Sequence, residues 1–282
     1  ADIGHASIET GDLKGDGSVE VITNSPTATV PWGTLVSLGL VSGVASVKLE
    51  LRDPSGLSSS ASTSLQIGST YQFSPTSDGV ADDYIVSTIN GSLDIRRAGT
   101  ATNLAPGGLT AITGVNIVGS SDNETFFVQS PSRTLAYFVD GNGGDDTVKV
   151  QGTAQADTFN VSSPSGRIVV AKTTGIPFYV SATSETVAVL GSDGTDTLDA
   201  RQVIAALTSL QLLGENGNDT LTGGLGNDVF VGGDGADLLA EVGPGNLTLT
   251  DLQLTGHGTD TIDATIEAIK LTGDTGGNLF DA

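Results

Sequence analysis

Residues 214–240 decide the fold, because they read GENGNDTLT, GGLGNDVFV and GGDGADLLA, three consecutive nine-residue blocks in one register. Each block follows the pattern Gly-x-x-Gly-x-Asp-x-U-x, where U is a large apolar residue. Glycine tolerates φ > 0 and close approach of other backbone, so each block can begin with a tight loop. The apolar residue comes two places after the aspartate, at the spacing that turns one side chain of a short strand inward. The stretch therefore predicts tight loops that alternate with short strands.

Each loop of this stretch offers the oxygen ligands that a hard cation prefers. Asp219, Asp228 and Asp237 each bring one carboxylate, and the glycine-rich turns direct backbone carbonyl groups inward. Carboxylate and carbonyl oxygens are the ligands that calcium takes in proteins. A glycine- and aspartate-rich surface loop is the alternative explanation for a single block. Three blocks at a fixed period of nine favour a true repeat instead.

The three blocks resemble the RTX, or haemolysin-type, nonapeptide, whose loops bind calcium and whose x-U-x strands stack into a parallel β-roll. The resemblance implies that a loop stacks on the loop two blocks later. Asp219 and Asp237 would then bracket one calcium ion, while Asp228 would face the other side and pair with Asp196 or Asp260. The full set of predicted metal residues is Gly214, Asn216, Asp219, Gly223, Leu225, Asp228, Gly232, Asp234, Asp237, Asp196 and Asp146.

Glu215 departs from the family pattern. It stands directly after the first glycine of the block, at a position where the family usually has another glycine. We expect this substitution to be tolerated only if the position does not require φ > 0, since a side chain disfavours that conformation. The same resemblance implies carbonyl ligands from Gly214, Asn216, Gly232 and Asp234. Only three blocks are regular, so one calcium site is well supported by the pattern and the loops at Asp146 and Asp196 are isolated cases.

Weaker copies of the block lie on both sides of the regular triplet. Gly141–Lys149 and Gly191–Asp199 keep the glycines and the aspartate, while Gly119–Phe127, Gly152–Asn160 and Gly256–Ala264 keep less of the pattern. All the copies keep an apolar residue two places after the acid or amide. Unrelated glycine- and aspartate-rich loops would not share this position, so we expect it to be an inward-facing, buried strand position. Its occupants are Phe126, Val148, Phe159, Leu198, Leu221, Phe230, Leu239, Ile262 and Phe280.

The spacing of the acids indicates a larger period. Three pairs of acids recur at nearly the same interval, namely Asp122/Asp146, Asp196/Asp219 and Asp237/Asp260. This interval falls within the period of about 20–25 residues that suits one circuit of a parallel β-helix. We therefore predict an all-β chain in which residues 76–282 form a right-handed parallel β-solenoid, a β-helix with a short β-roll at 214–240. A helix over Ala200–Leu213 is the competing interpretation of that segment.

Residues 1–75 lack the repeat and are predicted to form a separate, β-rich region. They contain the only tryptophan, Trp32, and strand-like runs separated by turn signals. A small immunoglobulin-like sandwich and a cap on the end of the solenoid are both compatible with this pattern. Gly11–Ser18 resembles an EF-hand calcium loop, but Lys14 occupies a position where a ligand is needed. An ordinary turn is therefore the other interpretation of that loop.

Charge and composition exclude several classes of protein. The formal net charge is −22, and no Lys or Arg occurs between Arg201 and Lys270, where ten acids lie. Such a block repels itself unless cations neutralise it, and it makes nucleic acids and anionic membranes poor partners. The chain has no cysteine, which excludes disulfides and thiolate metal sites and is usual for bacterial proteins exported unfolded. No apolar run reaches about 18 residues, so no membrane insertion is expected.

These observations favour a calcium-binding structural or adhesive module of a secreted or cell-surface bacterial protein, with cell-surface glycans or other copies of the chain as candidate partners. Catalysis is not expected, because His5 and His257 cannot form a His-Glu-x-x-His motif and no Gly-x-Ser-x-Gly is present. A segment of a polysaccharide-active β-helix enzyme is the alternative. Its adjacent basic pair would be Arg96 and Arg97, to which the sequence ties no acidic pair. An ice-binding solenoid is a second alternative, because Thr-x-Thr recurs at Thr195/Thr197, Thr220/Thr222, Thr248/Thr250 and Thr259/Thr261.

Overall fold

The computed structural model of the chain divides into two compact units, Ala1–Thr70 and Tyr71–Ala282. Before residue 69 the structure describes four strands. In the remainder it describes residues 69–105, 109, 112–204, 209–243, 247–250, 252–256, 258–273 and 280–281. All structural statements below concern these residues.

The four described strands of the first unit form two antiparallel pairs. β1 (Glu9–Gly11) pairs with β2 (Glu20–Ile22), and β3 (Gly43–Arg52) pairs with β4 (Ser58–Ile67). Residues 12–18 of the EF-hand-like loop lie outside the described residues, as does Trp32. The choice between a small sandwich and a cap therefore stays a prediction.

From residue 69 onward the described chain is all-β, apart from one 3-10 turn at Pro164–Gly166. The strands are β5 (Ser69–Phe73), β6 (Asp82–Ile89), β7 (Ser92–Arg97), β8 (Ile112–Val118), β9 (Glu124–Gln129), β10 (Ala136–Asp140), β11 (Thr147–Gln151), β12 (Thr158–Ser162), β13 (Ile168–Lys172), β14 (Phe178–Thr183), β15 (Thr186–Asp193), β16 (Thr197–Gln202), β17 (Ser209–Asn216), β18 (Thr220–Thr222), β19 (Asp228–Asp234), β20 (Leu238–Gly243), β21 (Leu247–Thr250), β22 (Gln253–Thr255), β23 (Thr259–Ile262), β24 (Ala268–Gly273) and β25 (Phe280–Asp281).

These strands form two long sheets between which the chain alternates. Sheet I has the order β24-β20-β18-β16-β12-β13-β14-β10-β8-β5, and sheet II has the order β25-β21-β22-β23-β19-β17-β15-β11-β9-β6-β7. One passage through both sheets is called a circuit. Strands of successive circuits pair in parallel, as β11 does with β15 and β15 with β17. Loops of the same kind are therefore brought next to one another.

Two kinds of loop connect the sheets. Return loops lead from sheet II to sheet I, and forward loops lead from sheet I to sheet II. The return loops that end in an acid are residues 152–157, 191–196, 214–219, 232–237 and 263–267, and the forward loops that carry repeat blocks are residues 119–124, 141–146 and 223–228. The regular triplet thus contributes two return loops and one forward loop.

Antiparallel insertions make the circuits unequal in length. In sheet I, β13 lies antiparallel between β12 and β14. The chain between the paired residues Val148 and Val187 is therefore much longer than the chain between the paired residues Val187 and Leu210. In sheet II, β21, β22 and β23 are also antiparallel. The predicted constant period of about 20–25 residues therefore holds for only part of the chain.

The apolar position of the repeat block forms the centre of the core. The eight predicted side chains that the structure describes are all buried, at 3% exposure or less. In sheet I four of them stand in register, because Phe159 pairs with Leu198, Leu198 with Leu221, and Leu221 with Leu239. The prediction of a shared inward position is confirmed for Phe126, Val148, Phe159, Leu198, Leu221, Phe230, Leu239 and Ile262.

The competing helix over Ala200–Leu213 is wrong for the described part of that segment. β16 continues to Gln202 and β17 begins at Ser209, with residues 205–208 outside the described chain. In β17 the buried residues Leu210 and Leu212 alternate with half-buried neighbours. This period of two is that of a strand, and it outweighs the weak helical spacing of the alanines and leucines in the sequence.

Leu221 tests the inward column of sheet I. We predict that Leu221→Ala lowers the free energy of unfolding by about 2–5 kcal/mol, because the change removes buried contacts and leaves a cavity. Urea denaturation with calcium present measures this change. Leu225→Ala is the matched control, since Leu225 is 41% exposed and its loss is expected to cost less than about 1 kcal/mol. Equal losses in the two variants would contradict the assignment of the inward column.

Candidate functional site

The return loops bring five acids of the chain into one stack. Asp157, Asp196, Asp219, Asp237 and Glu267 each stand near the end of a return loop, and we call these five residues the return ladder. The backbone N–H of each acid donates to the carboxylate of the next. The distances from N to O are 2.7 Å from Asp157 to Asp196, 2.7 Å from Asp196 to Asp219, 2.8 Å from Asp219 to Asp237, and 2.8 Å from Asp237 to Glu267. The structure therefore brings Asp219 and Asp237 together and adds Asp196 to the same stack.

The first glycine of a return loop is fixed by the acid at the end of that loop. A Cβ on Gly214 would lie less than 3.0 Å from both Oδ2 of Asp219 and the carbonyl oxygen of Gly232. A Cβ on Gly191 would lie equally close to Oδ2 of Asp196. Contacts this short are repulsive in a close-packed structure, so a side chain does not fit. The first and sixth positions of the repeat block therefore depend on each other.

In three of the return loops the second position of the block has φ > 0 whether or not it is glycine. The φ angle is +74° at Glu215, +86° at Ser192 and +107° at Gly233. The expectation that a glutamate is tolerated here only if the position does not require φ > 0 is therefore wrong. A left-handed conformation costs a residue with a side chain about 1–2 kcal/mol, so the stacked loops must stabilise it by more than that amount.

Three carboxylate oxygens of the return ladder are buried without a hydrogen-bond partner in the described structure. They are the Oδ2 atoms of Asp196, Asp219 and Asp237, and each of these residues is 1% exposed. A buried charged oxygen without a partner is costly, and a cation beside it removes that cost. Carboxylate oxygens in a loop rich in carbonyl groups suit calcium. The residues present therefore fit a calcium ion.

Carbonyl groups would have to supply most of the other ligands. No group of three or more His, Cys, Asp or Glu side chains in the described residues is placed to hold a metal ion. Among the predicted carbonyl ligands, Asn216 O accepts the N–H of Gly194 at 2.8 Å and Asp234 O accepts the N–H of Gly217 at 2.7 Å. A carbonyl oxygen has two lone pairs, so one remains available on each for a cation.

Burial raises the pKa of the ladder carboxyl groups. The pKa of Asp196 rises to about 7, chiefly because of desolvation, with a further increase from the charges of Asp219 and Asp157. The pKa of Asp219 is also raised by desolvation and by the charge of Asp237. Without a cation, the ladder therefore takes up protons well above the usual pH for aspartate.

The forward side of the molecule carries a second, interrupted series of acids. The N–H of Glu124 donates to Oδ1 of Asp146 at 2.8 Å, and the N–H of Asp146 donates to Oε2 of Glu185 at 2.9 Å. Farther along the sheets, the N–H of Asp228 donates to Oδ1 of Asp260 at 2.9 Å. Asp228 thus stacks with Asp260 and not with Asp196, the other partner suggested by the sequence. Desolvation raises the pKa of Asp146 and of Asp260 to about 6.

Two of the three acid pairs whose interval suggested the period do not stack on each other. The spacing aligns Asp122 with Asp146, but the acid that stacks on Asp146 is Glu124. The spacing also aligns Asp237 with Asp260, but these acids lie in different stacks, one on the return side and one on the forward side. The inserted β21–β23 segment explains the second case, because it lengthens that circuit without adding a return loop.

Glu241 is a buried acid that the repeat pattern does not identify. It lies on β20, is 3% exposed, and accepts the N–H of Gly223 at 2.5 Å. Desolvation, followed by the charges of Asp260 and Asp228, raises its pKa to about 7. Glu241 belongs to no nonapeptide block. Only the parallel register of β18 and β20 brings it to the forward loop.

The predicted ligand Leu225 lies on the rim of forward loop 223–228. Its side chain is 41% exposed, and its backbone N–H donates to the carbonyl of Val203 at 2.8 Å. The neighbouring N–H of Gly224 donates to Oδ2 of Asp228 at 2.9 Å. This loop therefore has its carboxylate oxygen engaged by its own backbone, which distinguishes it from the return loops that end at Asp196, Asp219 and Asp237.

The features that suggested other functions have structural partners of their own. Arg96 forms an ion pair with Asp94, with Nε 2.7 Å from Oδ2, and Arg97 forms ion pairs with Asp78 and Asp82. The expectation that no acids are tied to this arginine pair is therefore wrong. His5 and His257 lie outside the described residues.

The Thr-x-Thr pairs do not line up into one surface in the described structure. Thr197 pairs with Thr220 across sheet I, but the next residue in that column is Leu238. Thr222 is buried, at 6% exposure. Thr248 belongs to sheet II, where its strand runs antiparallel to the next one. On the other side of Thr197 the column continues only to Thr158, so a flat threonine array of the kind that an ice surface would need is interrupted after three residues.

The fold and the site together define a class: an all-β protein with stacked glycine loops, each closed by a buried acid. A family model for the RTX calcium-binding nonapeptide repeat (4 copies) matches residues 211–239. This segment therefore carries RTX calcium-binding nonapeptide repeats, in return loops 214–219 and 232–237 and in forward loop 223–228. No curated protein and no solved structure matches the chain.

Gly214 tests the dependence between glycine and acid within one loop. We predict that Gly214→Ala destabilises the protein by about 1–3 kcal/mol, because the added methyl group collides with Asp219 and with the next loop. Gly143→Ala is the control, since the nearest atom to its added Cβ would be 3.9 Å away. Thermal melts of the two variants in calcium measure the difference. A Gly214→Ala variant as stable as Gly143→Ala would refute the steric argument.

The raised pKa values predict how the stability of the calcium-free protein depends on pH. An unfolded aspartate titrates near about 3.9, whereas the folded pKa is about 7 for Asp196 and about 6 for Asp146. Between these values the folded state binds more protons, so the free energy of unfolding falls as pH rises. Melts with chelator should therefore give a higher Tm at about pH 5 than at about pH 7.5. With excess calcium the order should reverse, because protons then compete with the metal. A chelated protein that gains stability between these two pH values would contradict the prediction.

Proposed function

We propose that residues 71–282 form a right-handed β-solenoid whose return ladder binds calcium, and that calcium completes the folding of this region. The observation that carries the proposal is the burial of Oδ2 of Asp196, Asp219 and Asp237 without a hydrogen-bond partner among the described residues. The solenoid is supported by the alternation between two sheets and by the parallel pairing of successive circuits. A right-handed path is the usual one for parallel strands joined by crossover connections.

Two calcium positions are proposed on the return side. One lies between loops 191–196 and 214–219, and the other lies between loops 214–219 and 232–237. Each position has an acid of the return ladder on either side and carbonyl groups from both loops. The close stacking of these carboxylates is costly without a cation, so binding energy and folding energy are coupled.

We propose that the module is structural or adhesive and belongs to a secreted or cell-surface bacterial protein. RTX repeats occur in secreted bacterial proteins, which supports this location. The net charge of −22 suits a medium in which dissolved cations can neutralise the acids of the chain. Extracellular calcium modules typically bind with dissociation constants of about 10⁻⁴–10⁻³ M, which would leave the sites empty in a low-calcium cytosol. The described part of the chain contains no helix that has the length and apolar character to cross a membrane. Glycans or further copies of the chain are the proposed partners.

A non-catalytic role is part of the proposal. Arg96 and Arg97 are held in ion pairs with acids of their own sheet region, so this basic pair is not free to receive a sugar acid. The interrupted threonine column likewise gives no support to the ice-binding alternative. Binding of the calcium-loaded protein to a glycan array, or its self-association in sedimentation velocity, tests the adhesive role. The absence of both would exclude adhesion and leave the structural role.

Calcium dependence is tested by thermal melts in calcium chloride and in chelator. We predict a higher Tm in calcium, because each site adds about 2.7 kcal/mol of stability when calcium is at 100 times the dissociation constant. Asp219→Asn should reduce both this shift and the number of calcium ions bound in titration calorimetry, since Asp219 borders both positions.

The matched control is Asp83→Asn, which removes an exposed carboxylate on β6 and should leave calcium binding unchanged. Identical melts of the unmodified protein in calcium and in chelator would refute the proposed function. A loss of calcium in the control variant equal to that in Asp219→Asn would show that charge alone, and not the ladder, governs binding.

A further inference from the structure

The return ladder begins at Asp157, which we call its lower end, and the surroundings of Asp157 differ from those of the acids above it, Asp196, Asp219 and Asp237. Oδ1 of Asp157 lies 2.8 Å from Nζ of Lys172, and both side chains are 2% exposed. The hydroxyl of Thr174 also donates to this oxygen, at 3.1 Å. The other oxygen, Oδ2, accepts the N–H and the hydroxyl of Thr153 at 2.6 and 2.9 Å. Both oxygens of Asp157 therefore have partners, unlike those of the three acids above it.

Lys172 reaches this position because of the inserted strand β13. Lys172 is the last residue of β13 and pairs with Phe159, which follows Asp157 closely in the chain. Its Nζ also donates to the carbonyl of Thr174 at 2.6 Å, which fixes the ammonium group against the ladder. The antiparallel hairpin thus places a buried positive charge at the end of a stack of negative ones.

The ammonium group of Lys172 contacts Oδ1 of Asp157, and Oδ1 is also the atom through which Asp196 and Asp219 are joined to the preceding acid of the ladder. At Asp196 and Asp219, Oδ1 accepts the backbone N–H of the acid below it. At Asp157, Oδ1 accepts Nζ of Lys172 instead. Lys172 therefore occupies the place of the next rung and closes the ladder on the side away from Asp196.

We propose that Lys172 is a built-in cation that replaces calcium at the end of the return ladder, so that Asp157 is not a calcium ligand and the calcium sites begin at Asp196. This inference rests on the proposed function, because it divides the ladder into a rung neutralised by the chain and rungs neutralised by calcium. A second cation beside Asp157 would be repelled by the fixed ammonium group. The circuit that carries the β12–β13 hairpin is thereby neutralised at every calcium concentration.

Calcium stoichiometry tests which acids are ligands. Titration of the full chain with calcium chloride compares Asp157→Asn with Asp196→Asn. We expect Asp157→Asn to bind as many calcium ions as the unmodified protein and Asp196→Asn to bind fewer. A lower stoichiometry in Asp157→Asn would overturn the inference. An unmodified protein that binds no calcium would instead refute the proposed function, and the stability measurement on Lys172 would still stand alone.

The stability measurement compares Lys172→Met with Lys149→Met, which removes an exposed lysine on β11. We expect Lys172→Met to lower the Tm by roughly 10 °C in both calcium and chelator, because it leaves Asp157 buried without its counter-ion. The double variant Asp157→Asn/Lys172→Met should recover most of this loss, since it removes both charges. Lys172→Met melting like the lysine control, or a double variant no more stable than Lys172→Met, would overturn the inference.

Discussion

The buried carboxylate that ends three of the return loops, at Asp196, Asp219 and Asp237, is the group on which the rest of the structure depends. Through Oδ1 it accepts the backbone N–H of the acid in the preceding loop, and it thereby holds two circuits together. Through Oδ2 it crowds the first glycine of its own loop, as Asp219 does with Gly214. The same Oδ2 has no hydrogen-bond partner in the part of the chain that the structure describes, so it needs a cation. Loop stacking, the glycine pattern and cation binding are therefore consequences of one buried group.

The two sides of the molecule differ in how continuously their acidic residues are stacked. On the return side the acids continue from Asp157 to Glu267 without a gap. On the forward side the series stops after Glu185 and starts again at Asp228. The segment between them, around residues 203–209, contains no acid. Only the return side therefore offers an uninterrupted stack of acids between which calcium could link successive circuits. The proposed sites lie there for this reason.

The sequence predicts the parts of the site that are local to one block and misses those that depend on register. The period of nine predicts the inward position of Leu221, because this position follows from the geometry of a single loop and strand. The common side of Asp219 and Asp237 is what the resemblance to the RTX nonapeptide implies, and the structure brings the two residues together. Glu241 and Lys172 belong to no block, and each reaches the site through strand pairing. Which strands pair depends on contacts between distant circuits, and the inserted hairpins change that pairing without leaving a signal in the repeat.

The two ends of the return ladder differ, because Lys172 provides a fixed cation only at the Asp157 end. In a stacked array, each repeat contacts only its neighbours, so a repeat that is already ordered serves as the template for the next. If Lys172 neutralises Asp157 within the chain, the adjacent circuit would need no metal to bring its first two acidic loops together. Each later rung adds a buried carboxylate oxygen that has no partner among the described residues, at Asp196, Asp219 and Asp237 in turn. Ordering that begins at the hairpin and proceeds through these rungs would require calcium only as each new loop is added, so the calcium concentration would determine how far along the chain the stack extends.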